Sequence, residues 1–214
     1  MILNEHQILS RLVDPDPERR IIITPLVNPE EQFGPTSLDV RLGTDFQVLK
    51  RSNLTHWDPM KTPDAIQADL DLSMAHFKMK ATDPFVLHPG EFALASTLEY
   101  VQIPLDIAAR LEGRSTWGRL GLQIHATAGF VDPGFKGALT FELSNVSTVP
   151  IPLYPGVRIG QLCFFEGATT RLPYDEKKCT KYSGKISTAS SAFFRDPEYA
   201  RIRLANQEAV LAGR

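Results

Sequence analysis

Glu142 stands in the run Leu139-Thr140-Phe141-Glu142-Leu143. A carboxylate in such an apolar, strand-forming stretch is costly unless it is paired or used. If its apolar neighbours desolvate it, its pKa rises, and one group can then both accept and return a proton. The bland alternative is a buried glutamate paired with an arginine. Upstream, Arg114, Ser115 and Arg119 place two guanidinium forks and a hydroxyl in one short segment. Guanidinium geometry matches phosphate oxygens, and backbone N–H groups near Ser115 add donors. A solvated charged turn uses the same residue types. Asp132 follows an apolar run and precedes Pro133-Gly134, a common place for a turn aspartate. Cations for phosphates near a carboxylate for water chemistry point to an enzyme acting on a nucleotide.

Short strands are expected to hold these residues. Leu38, Val40 and Leu42 alternate onto one face, and Phe46 and Val48 continue the pattern after a turn at Gly43. Ile21-Ile22-Ile23 reads as a buried strand. Further strand-like runs lie at 85–87, 92–96, 100–103, 108–111, 123–126, 138–145, 151–153 and 159–165. His88-Pro89-Gly90, Asp132-Pro133-Gly134 and Tyr154-Pro155-Gly156 separate some of them. Many short strands with regular turns predict an all-β sandwich, jelly roll or barrel. Asn4 and Gln7 predict a capping box for a short N-terminal helix, stopped by Asp14-Pro15-Asp16-Pro17. Residues 52–83 are polar and read as a long loop or insertion. Asp196-Pro197-Glu198 predicts the start of a C-terminal helix, with Gly213 beyond its end. The expected division is a catalytic domain over 1–172 and a tail with its helix over 173–214.

The bulk numbers exclude several classes. The 214 residues carry 43% hydrophobic residues, enough for a core, and a formal net charge of −2. That balance argues against a broad grip on a nucleic-acid polymer but leaves room for a local cationic cluster. The two cysteines do not make a disulfide framework: Cys163 reads as a small core residue, and Cys179 lies in a polar stretch. No run is long enough to span a membrane, and the start does not read as a signal peptide, so a cytoplasmic protein is expected.

Several ordered motifs together resemble the deoxycytidine triphosphate deaminase branch of the dUTPase-like superfamily, over roughly residues 36 to 185. They are Ser37-Leu38-Asp39-Val40-Arg41-Leu42-Gly43, Leu87-His88-Pro89-Gly90-Glu91, and Gly113-Arg114-Ser115-Thr116 with Arg119-Leu120-Gly121-Leu122. The stretch from Thr127 to Gly137, Phe141-Glu142-Leu143, Arg158-Ile159-Gly160-Gln161-Leu162 and Lys181-Tyr182-Ser183-Gly184 complete the set.

The resemblance implies a distorted jelly-roll (β-clip) fold, a homotrimer with active sites between subunits, and a C-terminal tail that covers the nucleotide. It implies catalysis by Glu142, Ser115 and Arg119. It implies contacts to dCTP or dUTP from Arg114, Ser115, Thr116, Arg119, Ala126, Ala128, Asp132, Gln161, Lys181, Tyr182 and Lys185. His125 supports the site in this reading. The resemblance further implies magnesium bound to the substrate triphosphate and dTTP as an inhibitor. No zinc is expected: a zinc deaminase needs a His/Cys/Cys set, whereas here no Cys-x-x-Cys exists and the five histidines are scattered.

The tail departs from the family where Lys185 stands for the usual Gln and Ser187 for the usual Gly. That departure favours single-step, zinc-independent deamination of dCTP to dUTP and ammonia. The alternative is a bifunctional enzyme that forms dUMP and pyrophosphate, to which Gly129 lends support as a small residue leaving room for a second water. A non-catalytic nucleotide-binding regulator would not need Glu142, and a structural β-clip protein would not need Arg114, Ser115, Arg119 and Asp132 together.

Overall fold

The computed structural model describes residues 1–50, 52–125, 127, 129–176 and 181–211. It opens with α1 (Glu5–Leu12), whose capping box forms as expected: Asn4 accepts from the Gln7 N–H and Gln7 accepts from the Asn4 N–H, both at 3.0 Å. Each bond satisfies a backbone donor that the first turn leaves without a partner. Ile8 on this helix is fully buried, and Arg11 forms a largely buried ion pair with Asp106.

Eleven strands follow among the described residues, and nine form one sheet. They are β1 (Ile22–Thr24), β2 (Leu38–Leu49), β3 (Met74–Lys78), β4 (Phe85–Leu87), β5 (Phe92–Gln102), β6 (Ile107–Gly113), β7 (Leu122–Ile124), β8 (Phe130–Val131), β9 (Lys136–Asn145), β10 (Ile151–Leu153) and β11 (Arg158–Glu166). The large sheet runs β7-β9-β5-β2-β11-β6-β8, with β1 added to β5 and β3 to β2; β4 and β10 pair separately. The pairings are antiparallel. The all-β expectation holds.

The sheet curls because its long strands change partners. The first part of β2, Leu38–Arg41, pairs with β11, and its second part, Asp45–Leu49, pairs with β3. Register shifts between Leu42 and Phe46 and between Ser96 and Tyr100 mark the bends. Phe46, Phe141 and Phe164 are fully buried between the resulting layers. Burying a side chain of that size contributes about 1.5–3 kcal/mol.

Four expectations are corrected. Gly43 is not a turn but lies inside β2. A Cβ there would sit 2.5 Å from Ser96 Oγ and 2.9 Å from two backbone oxygens, so glycine permits the close crossing of β2 and β5. The runs at 92–96 and 100–103 form one bent strand. Residues 52–83 are not all loop: Thr62 caps α3 (Pro63–Ser73), with Pro63 in its first turn and Ile66 and Leu70 buried, and β3 follows. The spacing of Ile66 and Leu70 carried that signal, masked by polar residues between them. Cys163 is half-buried rather than a core residue, because it alternates with the buried Leu162 and Phe164. The C-terminal helix forms over Pro197–Leu211 (α5, after the four-residue helices Pro29–Gln32, α2, and Ser115–Gly118, α4).

Candidate active site

Strand alternation sets the surroundings of Glu142. On β9 the odd-numbered residues Leu139, Phe141 and Leu143 are buried, while Thr140, Glu142 and Ser144 point the other way. Phe141 and Leu143, the apolar residues on either side of Glu142, therefore point away from it, while Leu139 lines the same cavity. Its own face offers Leu94, directly opposite on β5. Here a cavity of about 720 Å³ opens, and Glu142, His125, Asp132, Tyr182 and Lys185 all line it. That volume lies in the usual range for a small-molecule site.

Glu142 faces a histidine, not an arginine. His125 Nδ1 lies 3.6 Å from Glu142 Oε2, an electrostatic approach rather than a hydrogen bond. The His125 backbone sits at φ +53°, the left-handed region that few non-glycine residues adopt, and its N–H reaches the Glu142 carbonyl at 3.3 Å. Burial lowers the His125 pKa, and the Glu142 carboxylate opposes that effect. His125 thus sits beside a carboxylate that lines the cavity, where Glu142 can meet a bound ligand. Asp132 reaches the same cavity from the turn that Gly134 closes at φ +84°. Gly129 is needed for packing: a Cβ there would lie 2.4 Å from the Leu111 carbonyl oxygen, and the Leu111 N–H donates to Gly129 at 2.7 Å.

The phosphate-type residues form a second group. Arg114 precedes α4, and its Nε lies 3.0 Å from Asp39 Oδ2. Arg158 approaches the same oxygen at 3.5 Å, and the Arg158 carbonyl accepts from Arg114 Nη1 at 3.2 Å and from Trp117 Nε1 at 3.0 Å. Burial raises the Asp39 pKa, while Arg114, Arg158 and Arg41 pull it down. Ser115, Thr116 and Arg119 are exposed on and just after α4. Gln161 sits opposite Asp39 and Glu112 in the ladder, beside this group. None of Arg114, Ser115, Thr116, Arg119 and Gln161 lines the Glu142 cavity of its own chain.

The tail closes one wall of that cavity. Tyr182 and Lys185 line it, with the Lys185 ammonium 6.0 Å from the centre of the Tyr182 ring. Lys181 does not line it and instead pairs with Asp196 at 2.6 Å. Ala126 and Ala128 lie outside the described residues, as does Cys179. Sequence reasoning did not single out Trp57, Leu94 and Tyr199, which also line the cavity. Apolar side chains carry no chemical signature, so only their placement reveals them.

Comparison with known proteins now bears on this arrangement. A family model described as dCTP deaminase-like matches residues 2–167. A dUMP-forming dCTP deaminase of Thermobifida fusca (strain YX) is 45% identical over 179 residues, covering 83% of this chain and 88% of that protein. A dUMP-forming dCTP deaminase of Dictyoglomus thermophilum is 40% identical over 192 residues, covering 89% and 94%. Among solved structures, the 2′-deoxycytidine 5′-triphosphate deaminase of Agrobacterium tumefaciens superposes with a TM-score of 0.57 at 22% identity. That match covers 78% of this chain and 48% of that one, and supports the fold. With motif order, fold and sequence in agreement, this chain belongs to the dCTP deaminase-like family.

Proposed function

We propose that this enzyme converts dCTP to dUMP, releasing ammonia and pyrophosphate. The observation that carries the reading is the 40–45% identity, over most of both chains, to relatives named as dUMP-forming dCTP deaminases. This supports the bifunctional alternative over single-step release of dUTP. The argument from the tail's departures is outweighed, and the packing demand at Gly129 removes that residue as independent support.

In this reading Glu142 takes a proton from water as the oxygen attacks C4 of cytosine. It passes that proton to N3, then takes the hydroxyl proton of the tetrahedral intermediate and gives it to the departing amine, so that the C4–N4 bond breaks as the new carbonyl forms. A second water attacks the α-phosphorus, and the bond to the bridging oxygen breaks to release pyrophosphate. Asp132 orients the sugar and that water. Arg114, Ser115, Thr116, Arg119 and Gln161 hold the triphosphate with Lys185 and Tyr182. Magnesium carried in on the substrate triphosphate would supply positive charge for the departing pyrophosphate. Among the described residues no group of three or more His, Cys, Asp or Glu side chains is placed to hold a metal ion.

The α4 group does not line the Glu142 cavity of its own chain, which supports, together with the resemblance, a site formed between subunits of a cyclic homotrimer, α4 of one subunit facing the cavity of the next. The test is product analysis. Purified protein with dCTP and magnesium should yield dUMP, ammonia and pyrophosphate in equal amounts. Accumulated dUTP without pyrophosphate would restore single-step deamination, and absence of any uracil nucleotide would mean a binding protein.

A further inference from the structure

Strand β2 turns two polar side chains, Asp45 and Gln47, away from the core, where a strand of this kind normally meets water. Both are nevertheless buried, at 4% and 7% exposure. The tail contributes to that burial. Thr188 donates its N–H to Asp45 Oδ1 at 2.9 Å and its hydroxyl to the same oxygen. Gln47 Nε2 donates to the Thr188 carbonyl at 3.2 Å, and Ser190 Oγ donates to Gln47 Oε1 at 2.7 Å. His76 Nε2 approaches both Asp45 oxygens, at 2.9 and 3.0 Å. Buried polar groups require such partners, and bonds to a carboxylate are the stronger kind.

A second anchor lies just upstream. The Gly184 N–H donates to the Lys136 carbonyl at 2.6 Å, and the Ala138 N–H donates to the Lys185 carbonyl at 2.8 Å, so this stretch runs along β9. Tyr182 precedes that anchor, Lys185 lies within it, and both line the cavity with Glu142. Ser187, between the anchors, and Ser190, within the anchor on Asp45 and Gln47, line it too.

We propose that Asp45 and Gln47 form a clasp that docks the tail through Thr188 and Ser190 and thereby positions Tyr182 and Lys185 over the bound nucleotide. The proposal rests on the nucleotide reading above. Holding a tail in one conformation costs backbone entropy for every residue fixed. Four hydrogen bonds from tail to clasp, two of them to a buried carboxylate, offset that cost at a point close behind the residues that matter. Asp45 and Gln47 are positioning residues, since neither lines the cavity. The clasp also explains how a tail with Lys185 and Ser187 at its departures still closes.

Trypsin cuts after lysine, so Lys181 and Lys185 report directly on the tail. The variants are Asp45→Ala and Thr188→Val, the second removing only the hydroxyl bond in case the first does not fold. Circular dichroism establishes that each is folded. The proposal expects cleavage at Lys185 and KM for dCTP both to rise, by about tenfold in Asp45→Ala and by less in Thr188→Val, with kcat within about twofold. Thr188→Val added to Asp45→Ala should have little further effect, because the two act through one contact. Wild-type cleavage and KM in the folded variants would overturn the proposal. So would faster cleavage with unchanged KM, or a fall in kcat alone. If the wild type forms no uracil nucleotide, the functional reading fails, while the cleavage rates still decide whether the clasp exists.

Discussion

Glu142 shows why a residue's chemistry depends on its face rather than its sequence neighbours. Phe141 and Leu143 point into the core, and Glu142 points at His125 and the cavity. Glu142→Gln keeps the shape and hydrogen-bonding capacity but cannot carry protons. It should fold and bind dCTP, while uracil formation falls about 10²–10⁴-fold, the usual range for a general acid–base. Near-normal uracil formation would remove Glu142 from the mechanism. Arg114 calls for a different comparison, because its loss also deprives Asp39 of a partner. Measuring one variant against two substrates cancels that structural cost. Arg114→Ala should lower kcat/KM for dCTP by about 10–100-fold more than for deoxycytidine, the range for a lost charge-assisted contact. Equal losses would assign Arg114 to the fold or the base pocket.

At the scale of elements, the crossing of β2 and β5 carries both a packing and a charge constraint. Gly43→Ala would push a methyl group against the Ser96 and Thr97 carbonyls, so chemical denaturation should show a loss of about 1–3 kcal/mol. Near the same crossing Glu99 is fully buried, accepting from the Arg41 N–H at 2.8 Å and from Gln32 Nε2 at 3.2 Å. Burial pushes its carboxyl up from 4.5 to about 7. A raised carboxyl favours the neutral form in the folded protein. Its contribution is therefore fully present below the unfolded value and is lost as pH rises through about 7. At about 1.4 kcal/mol for each pH unit, the loss amounts to roughly 3 kcal/mol. Denaturation from pH 5 to 8.5 should show wild type losing stability relative to Glu99→Gln, with the difference levelling off above the transition. A constant difference across that range would refute the assignment.

For the whole molecule, the absence of the α4 group from the lining of the Glu142 cavity makes a shared site the central expectation. Light scattering should report a trimer, and an active monomer at assay concentration would exclude shared sites. Mixing offers a sharper check. Arg119→Ala and Glu142→Gln should each be nearly inactive. Trimers reassembled from both should regain activity, because some sites then combine an intact Arg119 from one subunit with an intact Glu142 from another. No recovery after verified subunit exchange would place both residues in one chain's own site.

The residues and their order were legible in the sequence, because phosphate-type cations, turn glycines and alternating strands each have local chemical causes. The same is true of the capping box at Asn4 and of the helix after Asp196, which depend only on neighbours a few residues away. Strands 85–87 and 151–153 were readable to the residue, since each is a short apolar run bounded by turn residues. The tertiary structure alone decided the rest. Glycine at 43 reads as a turn until β5 passes against it. The helix at 63–73 hides because only Ile66, Leu70 and Ser73 are buried. Asp45 and Gln47 look like solvent-facing residues until Thr188, 143 positions from Asp45, covers them. Contacts between distant segments leave no periodic trace in either one, because the energy that makes them depends on where the intervening chain brings the two together.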